Sequence, residues 1–419
     1  MMWKFIHAAD IHLDSPLRGL ARYEGAPVDT IRSAPRCAFD NLIELAIEEA
    51  VAFVLLVGDL YDGDWKDYNT GLYFVERMRR LRAENIRVFI VAGNHDAASQ
   101  ITRHLQLPDN VTLFSTKKPE QVVLDDLNVV VHGQGFATRA VTDDLSANYP
   151  KADPNYFNIG LLHTCLDGKP GHEHYAPCTL DGLRSKGYQY WALGHVHKRE
   201  VLSEDPWIVF PGNTQGRHIR ETGPKGCTLV SVDADEVHTV AHRDLDVMRW
   251  MVCEVDVSAC QTVEDVYDRV REDLQASIDA AAGRLLAVRL LLQGNCAVHA
   301  QLHANAEKLI QEYRALAIEI GDVWLEKIFF KTTAAISRTD SASCDDALGG
   351  LLCTIQGINL DTASLQELSS DLSALRKKLP PELLTDDGSD PADPAFIKNS
   401  MEDIKALLVN RLLSMDTSK

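Results

Sequence analysis

Short apolar runs that end in Asp, Asn or His recur along the first 200 residues, and they constrain the fold more than any other feature of the sequence. The run VAFVLLVGD (51–59) has no polar residue before its final Asp, which is typical of a strand buried on both faces of a sheet. Amphipathic helical patterns over 36–50 and 69–84 alternate with the early runs, whereas the later part of this region is mostly strand-like. This order predicts a layered α/β sandwich over residues 1–245. The other runs that we expect to form strands lie at 3–9, 86–96, 127–133, 156–164, 188–197, 207–213 and 226–233.

The rest of the chain divides into two further regions. The hydrophobic pattern of residues 250–333 indicates the order strand, helix, strand, helix, strand. This order predicts a small α+β domain with helices over 263–281 and 298–320. Residues 334–419 contain polar and Pro/Asp-rich stretches around two amphipathic helical patterns, and we expect a flexible linker with a helical tail. Isolated helices are rarely stable alone, so the tail is expected to dock either on the body of the chain or on a partner.

Charge and cysteine usage limit the classes of function. The formal net charge of −19 argues against broad, nonspecific nucleic-acid binding, which requires a basic surface, but it is compatible with DNA in a local cleft. The N-terminus reaches Asp10 and His12 before any signal-peptide core could form, which predicts a cytoplasmic protein without a membrane segment. Nine cysteines without a CxxC pair favour reduced thiols.

Five strand ends carry the residue types that bind metal ions. Parallel strands bring their carboxyl ends to one edge of a sheet, so these side chains are expected to converge. Carboxylate, imidazole and amide groups suit Mn²⁺, Fe, Zn²⁺ or Mg²⁺. Each motif alone also occurs as an ordinary turn or a buried histidine, but the ordered combination favours a metal site. The motifs are Asp10-x-His12, Gly58-Asp59-x-x-Asp62, Gly93-Asn94-His95-Asp96, His163 and Gly194-His195-x-His197.

The spacing within these motifs has physical reasons. In an extended segment, residues i and i+2 point the same way, so Asp10 and His12 can reach one ion. The two carboxylate oxygens of Asp59 could bridge two ions. Glycines before Asp59, Asn94 and His195 permit tight turns without a Cβ atom in the way.

This ordered set of motifs resembles the calcineurin-like metallophosphoesterase superfamily. Within it, the chain is similar to the DNA double-strand-break repair exonucleases of the bacterial SbcD and YhaO type. The resemblance implies a layered α-β-β-α sandwich, a smaller capping domain and a partner-binding C-terminal tail. It also implies two divalent metal ions, with Mn²⁺ expected and Fe, Zn²⁺ or Mg²⁺ as alternatives.

The resemblance also assigns roles residue by residue. The first metal would be held by Asp10, His12, Asp59 and His197. The second would be held by Asp59, Asn94, His163 and His195. His95 would face the leaving group as a general acid, and Asp96 would orient it.

Two segments bear on the substrate. The Ser/Thr phosphatases of this superfamily have the motif GDxVDRG, in which the Arg contacts phosphate. The corresponding segment of this chain is GDLYDGD, with Gly63 at the position of that Arg. A protein phosphatase is therefore a poor match. The segment PGNTQGRHIRE (211–221) resembles one found in the YhaO type, and it would place Arg217, His218 and Arg220 near the metals as substrate-binding residues. The alternative is a tight turn with a solvated basic flank.

The resemblance therefore implies a two-metal-dependent DNA exonuclease, acting 3′→5′ on duplex DNA with some single-strand endonuclease activity. Residues 250–333 would shape the DNA entry channel, the tail would bind an SMC-like ABC ATPase, and the chain would form a homodimer. One alternative is a small-substrate metallophosphatase or nucleotide phosphodiesterase of the same superfamily. The other is a weakly catalytic scaffold for DNA ends or the ATPase, although such a scaffold is expected to have lost a ligand.

Overall fold

The structure is a computed structural model of the chain. It describes residues 2–14, 25–62, 68–98, 106–166, 175–334, 347–359 and 361–376, together with some positions between 392 and 408. The chain forms two compact units. The first contains 1–252, 276–289 and 320–326, and the second contains 253–275, 290–319 and 327–419.

The first sheet of the first unit has six strands. They are β1 (Trp3–Ala8), β2 (Phe53–Val57), β3 (Arg87–Val91), β4 (Val111–Leu113), β11 (Gly226–Asp233) and β12 (Glu236–Asp244). The order across the sheet is β12-β11-β1-β2-β3-β4. Strands β1 to β4 run parallel, whereas β11 pairs antiparallel with β1 and with β12. The carboxyl ends of the parallel strands therefore share one edge.

The second sheet also has six strands. They are β5 (Glu120–Leu124), β6 (Val129–Gly133), β7 (Phe157–His163), β8 (Tyr190–Gly194), β9 (Glu200–Glu204) and β10 (Trp207–Phe210). The order is β5-β6-β7-β8-β10-β9, with β6, β7, β8 and β10 parallel and both edge strands antiparallel.

The two sheets face each other across an apolar core, and helices cover their outer faces. Phe5 and Phe53 of the first sheet stack at 5.2 Å, and Tyr190 of the second sheet meets Phe5 edge to face at 5.2 Å. Helices α1 (Val28–Glu48) and α2 (Tyr68–Ala83) pack on the first sheet, and the short α3 (Leu180–Arg184) contributes Leu183 to the core outside the second. The predicted layered α-β-β-α sandwich is confirmed.

Helix α1 is longer than the sequence pattern predicted. It begins at Val28 rather than at 36, and it contains Pro35 as a buried residue. Proline lacks an N–H and usually ends a helix, so its position inside α1 is an exception to that rule. Burial of Ile31 and Ala34 before the proline holds this first part in place.

Residues 248–334 form a three-stranded sheet with helices, as the sequence predicted. The strands are β13 (Met248–Asp256), β14 (Leu285–Cys296) and β15 (Val323–Ala334), in the order β13-β14-β15. The helices are α4 (Val263–Ala280), α5 (His299–Ala304) and α6 (Ala306–Ile320). Asn305 separates α5 from α6, so the single helix expected over 298–320 is two.

The described part of the tail is helical. The pattern at 364–378 corresponds to α8 (Thr362–Arg376), but α7 (Ala347–Gly357) was not predicted. Most of the second predicted helix, 394–415, lies outside the described residues. Cys353 is disulfide-bonded, contrary to the expectation of reduced thiols. The described cysteines that form no disulfide are Cys37, Cys165, Cys178, Cys227, Cys253, Cys260 and Cys296.

Within the described ranges, no helix has both the length and the apolar character that crossing a membrane requires.

Candidate metal centre

The metal-ligating side chains come from the ends of five strands in the two sheets. Asp10 and His12 follow β1, Asp59 follows β2, and Asn94 and His95 follow β3. From the second sheet, His163 ends β7, and the loop after β8 carries His195 and His197. All of the predicted ligands except His195 and His197 are buried, and these two are partly buried.

These side chains form groups whose ligand atoms lie within 4.8 Å of one another. The first group is Asp10, His12 and His197. The second is Asp59, His163 and His195. Asn94 adjoins the second group, because its Oδ1 lies 2.9 Å from His163 Nε2. The structure thus brings together the residues that the sequence assigned to two neighbouring ions.

Asp59 lies between the two groups. Its Oδ1 accepts a hydrogen bond of 2.9 Å from the backbone N–H of His95. Its Oδ2 is 3.5 Å from His163 Nε2 and 4.0 Å from His12 Nε2, so the same oxygen faces one histidine of each group. This is the position that a bridging carboxylate requires.

The donor set fits divalent cations. His12 Nε2 and His197 Nε2 face each other at 3.2 Å. Two lone-pair-bearing nitrogens this close are stabilised by a shared proton or by a cation between them. Imidazole nitrogens with carboxylate and amide oxygens suit Mn²⁺, Fe and Zn²⁺. The residues therefore fit the two-metal site that the motifs indicate.

The backbone at the centre is unusual. Asp10, His12, Asp59 and His195 have positive φ angles of 52°, 49°, 50° and 101°. Non-glycine residues rarely adopt this region, and such strain is concentrated at functional sites. The turns also need glycine: a Cβ atom on Gly58 would lie 2.1 Å from His163 Nδ1.

Burial and mutual charge shift the pKa values of the ligands. Burial raises the pKa of Asp10 to about 6. Burial alone would raise the pKa of Asp59 too, but the charge and hydrogen bond of His163 outweigh it and hold that pKa well below its usual range. Burial disfavours the charged form of His163, yet the Asp59 carboxylate raises its pKa to about 9. Asp59 is thus an anion that attracts positive charge.

His95 lies beside the ligands and belongs to neither of these two groups, although it forms a third cluster of possible ligands with His12 and Asp62. Its Nδ1 is 2.8 Å from Asp62 Oδ1, and this hydrogen bond raises the pKa of the imidazole. The ring remains partly exposed toward the cavity. Such a histidine can hold a proton and present it to a bound group.

The partner of His95 is not the residue that was expected. Asp96 was expected to orient the histidine, but its carboxylate instead accepts hydrogen bonds from the backbone N–H groups of Leu60, Tyr61 and Gly93. Three backbone N–H donors stabilise this buried carboxylate better than the single N–H of the His95 ring could. Asp62, which the sequence analysis noted only as part of GDxxD, takes the expected role.

Glu221 is a second residue whose role the sequence analysis missed. Its Oε1 lies 2.6 Å from His197 Nδ1, which fixes the orientation of that ring. Its Oε2 accepts hydrogen bonds from Asn213 Nδ2 and from the backbone N–H of Arg217. Burial would raise the pKa of Glu221, but the hydrogen bond with His197 holds it well below the usual range. The only signal was an acidic residue at the end of the PGNTQGRHIRE segment.

A cavity of about 740 Å³ opens over the centre. Asp59, Asn94, His95, His195 and His197 line it. Its other walls carry cations, so positive charge collects here although the whole chain is acidic. The three predicted substrate-binding residues, Arg217, His218 and Arg220, line it together with Arg139, Lys198 and Lys225.

Comparison with known proteins gives a consistent result. The profile of the family described as calcineurin-like phosphoesterase matches residues 4–199, and that of the middle domain of metallophosphoesterase YhaO matches residues 250–333. The chain is 36% identical over 301 residues to metallophosphoesterase YhaO of Bacillus subtilis, covering 69% of this chain and 71% of that protein.

More distant relatives are DNA double-strand break repair proteins Mre11. The protein from Sulfolobus acidocaldarius is 24% identical over 285 residues, which covers 65% of this chain and 72% of the relative. The protein from Sulfurisphaera tokodaii is 25% identical over 271 residues, covering 61% and 66% respectively.

Proposed function

Because the chain belongs to the YhaO-type calcineurin-like metallophosphoesterases, we propose that it is a two-metal-dependent phosphodiesterase that acts on DNA as an exonuclease. The observation that carries this proposal is the shared position of Asp59 between two ligand groups, under a cavity with cationic walls. Such a cavity attracts an anionic substrate and holds it over the ions.

The residues of the chain have distinct tasks in this reaction. When bound, two divalent ions supply Lewis acidity and lower the pKa of nearby water. Asp59 keeps the two ligand groups together, and Glu221 fixes the ring of His197. In this proposal His95, which contacts Asp62, gives its proton to the departing oxygen.

The choice of DNA as substrate is supported by the Mre11 relatives, whose names describe repair of DNA double-strand breaks. We further propose that the exonuclease degrades duplex DNA in the 3′→5′ direction and that it also has single-strand endonuclease activity. The cationic side chains of the cavity supply the contacts to phosphate that DNA binding requires.

An assay with matched substrates tests the proposal. Purified protein with Mn²⁺ is offered a duplex labelled at either end, the same single strand, and p-nitrophenyl phosphate. We expect cleavage from the 3′ ends of the duplex, loss of activity with a chelator, and little turnover of the monoester. A protein that turns over only the monoester is not the proposed exonuclease, and one that binds duplex without cleaving it is a scaffold.

One observation favours a second candidate, a phosphatase or nucleotide phosphodiesterase with a small substrate. The cavity volume of about 740 Å³ lies within the range of small-molecule sites. The net charge of −19 also limits long-range attraction of a polyanion. Rapid hydrolysis of a nucleotide diester together with inert duplex DNA would favour this candidate.

We also propose that the tail binds an SMC-like ABC ATPase and that the active protein is a homodimer. Apolar residues of the described tail are unusually exposed, including Leu351, Ile404 and Leu408 at 46%, 49% and 41%. Apolar residues at i, i+3 and i+4 spacing suit docking of a helix in a groove of a partner. Truncation after Ala334 should leave Mn²⁺-dependent hydrolysis but abolish co-purification with the ATPase. An active truncation that still retains the ATPase would remove the tail as the docking element.

A further inference from the structure

We propose that Arg217 is the side chain that contacts the non-bridging oxygens of the scissile phosphate. The inference rests on the proposed phosphodiester hydrolysis at the same site. It assigns one residue of the basic segment a direct contact with the reacting group, rather than a place in a general basic flank.

Arg217 lies between the two carboxylates that support the centre. Its Nη1 is 3.5 Å from Oδ2 of Asp62, the partner of His95. Its Nη2 is 3.6 Å from Oε1 of Glu221, the partner of His197. The guanidinium therefore sits beside the general acid on one side and beside a metal ligand on the other.

The side chain is held but its donors are not used up. Charge-assisted hydrogen bonds of arginine are typically about 2.7–2.9 Å long, and both carboxylate distances exceed this range. Among the described residues, Nε of Arg217 is buried and has no hydrogen-bond partner. The side chain is only 15% exposed, yet it lines the cavity.

A structural arginine of the same protein shows the contrast. Arg289 makes a bidentate pair with Glu326, with Nε and Nη2 each 2.8 Å from a carboxylate oxygen. Both of these hydrogen bonds of the guanidinium go to one carboxylate. Arg217 instead contacts two carboxylates, those of Asp62 and Glu221, at the longer distances of 3.5 and 3.6 Å. This is expected of a guanidinium whose N–H groups can still bind a third group.

The backbone of Arg217 is fixed independently of its side chain. Its N–H donates to Glu221 Oε2 at 2.8 Å, so the same buried glutamate anchors the main chain and limits where the guanidinium can point. A guanidinium group that is already held in place loses little conformational entropy when it contacts phosphate.

The chemistry of phosphate requires such a group. A phosphodiester gains negative charge on its non-bridging oxygens as it is attacked, and a planar N–H fork matches two of these oxygens. In sequence, Gly63 stands where a phosphatase of the superfamily has its arginine. Arg217 brings a cation from a distant loop to Asp62, the residue next to that glycine.

The test uses the full-length protein with Arg217→Met and Arg217→Lys. Hydrolysis of bis(p-nitrophenyl) phosphate with Mn²⁺ gives kcat and KM, elemental analysis gives the metal content, and calorimetry gives the affinity for inorganic phosphate. Arg80→Met is the matched control, because Arg80 pairs with Glu44 at 2.6 Å on the exposed surface.

We expect Arg217→Met to keep its metal and to lower kcat by about 10²- to 10³-fold, the usual effect of losing one transition-state donor. Its affinity for inorganic phosphate should fall about 10- to 100-fold, as for a lost hydrogen bond to a charged group. Arg217→Lys keeps the charge but not the fork, so it should recover only part of each loss. Arg80→Met should match the wild type.

Three outcomes would overturn the inference. They are wild-type kcat and phosphate affinity in Arg217→Met, full rescue of both by Arg217→Lys, and loss of metal from Arg217→Met, which would make Arg217 a support for His197. If Arg217→Met does not fold, Arg217→Lys alone must still show the partial loss. Phosphate affinity that depends on Arg217 in a wild-type protein without diesterase activity would uphold this inference while the proposed function fails.

Discussion

The metal centre and the three-stranded sheet both bury charged side chains, but they arrange them in opposite ways. In the sheet, Arg289 and Glu326 form a bidentate pair through two hydrogen bonds of 2.8 Å. At the centre, His12 faces His197 at 3.2 Å and Asp59 at 4.0 Å, around a common space. Side chains of opposite charge that bond directly to each other form a structural ion pair. Several ligand atoms that surround one position are instead arranged to bind an ion there.

The difference gives a criterion for reading buried charge. Removing a charge should cost stability where the partner is left unpaired, and it should cost metal and turnover where the charge belongs to a ligand group. Four substitutions, taken in order of decreasing expected effect, test whether buried charge plays these different roles in the two regions.

Asp59→Asn should have the largest effect. One oxygen of Asp59 faces both ligand groups, so loss of its charge should reduce binding of both ions and abolish hydrolysis. Metal content after dialysis against Mn²⁺, and turnover of a phosphodiester, measure this. Asp126→Asn, at an exposed ion pair with Arg87, is the control. Two ions per chain with persistent cleavage would show that Asp59 is not the bridge.

His95→Ala should lower turnover by about 10²- to 10⁴-fold, the range for a lost general acid, with metal occupancy nearly unchanged. The reason is that His95 contacts Asp62 and lies outside the two ligand groups that Asp59 faces, although it forms a third cluster with His12 and Asp62. Turnover and metal content are measured together, with the exposed His238→Ala as control. A mutant that loses metal would instead make His95 a ligand.

Glu326→Ala should destabilise the protein by about 3–5 kcal/mol, because Arg289, whose side chain is only 13% exposed, then loses both short hydrogen bonds to a carboxylate. Urea denaturation measures the free energy of unfolding. Glu254→Ala, on an exposed position of the same sheet, should change it by less than about 0.5 kcal/mol. The folded variant should keep its metal. Loss of metal from folded Glu326→Ala would contradict the proposed difference between the ion pair of the sheet and the ligands of the metal centre.

Glu221→Gln should weaken metal binding or turnover by about 10- to 100-fold, as is usual for the support of a ligating histidine. The amide keeps the shape but loses the charge that fixes His197 at 2.6 Å. Metal affinity is measured by competition with a chelator, and the exposed Glu204→Gln serves as control. An unchanged affinity would mean that the His197 ring is oriented without Glu221.

How much the sequence revealed depended on whether the signal was local. Strand β2 is a continuous apolar run and β7 is apolar except for Asn158 and its final His163, so both were predicted. Strands β5, β9 and β12 were missed because most of their residues are exposed or half-buried. The break at Asn305 was missed because both flanking helices continue the same apolar pattern.

The candidate centre shows the same limit. Ligands follow strands directly, so their motifs were visible along the chain. The contact of His95 with Asp62 spans 33 residues, and that of His197 with Glu221 spans 24. Both contacts depend on how loops close in three dimensions, and no local pattern of residues encodes that closure.

The three hydrogen bonds accepted by Asp96 have a mechanical consequence. By binding the N–H groups of Leu60, Tyr61 and Gly93, one carboxylate ties the loop after β2 to the loop after β3. Asp59 and Asn94, which sit on these loops, therefore move as one body. Their amides should exchange with deuterated solvent only in rare openings that release both loops together, so the spacing of the ligands is set before any ion arrives.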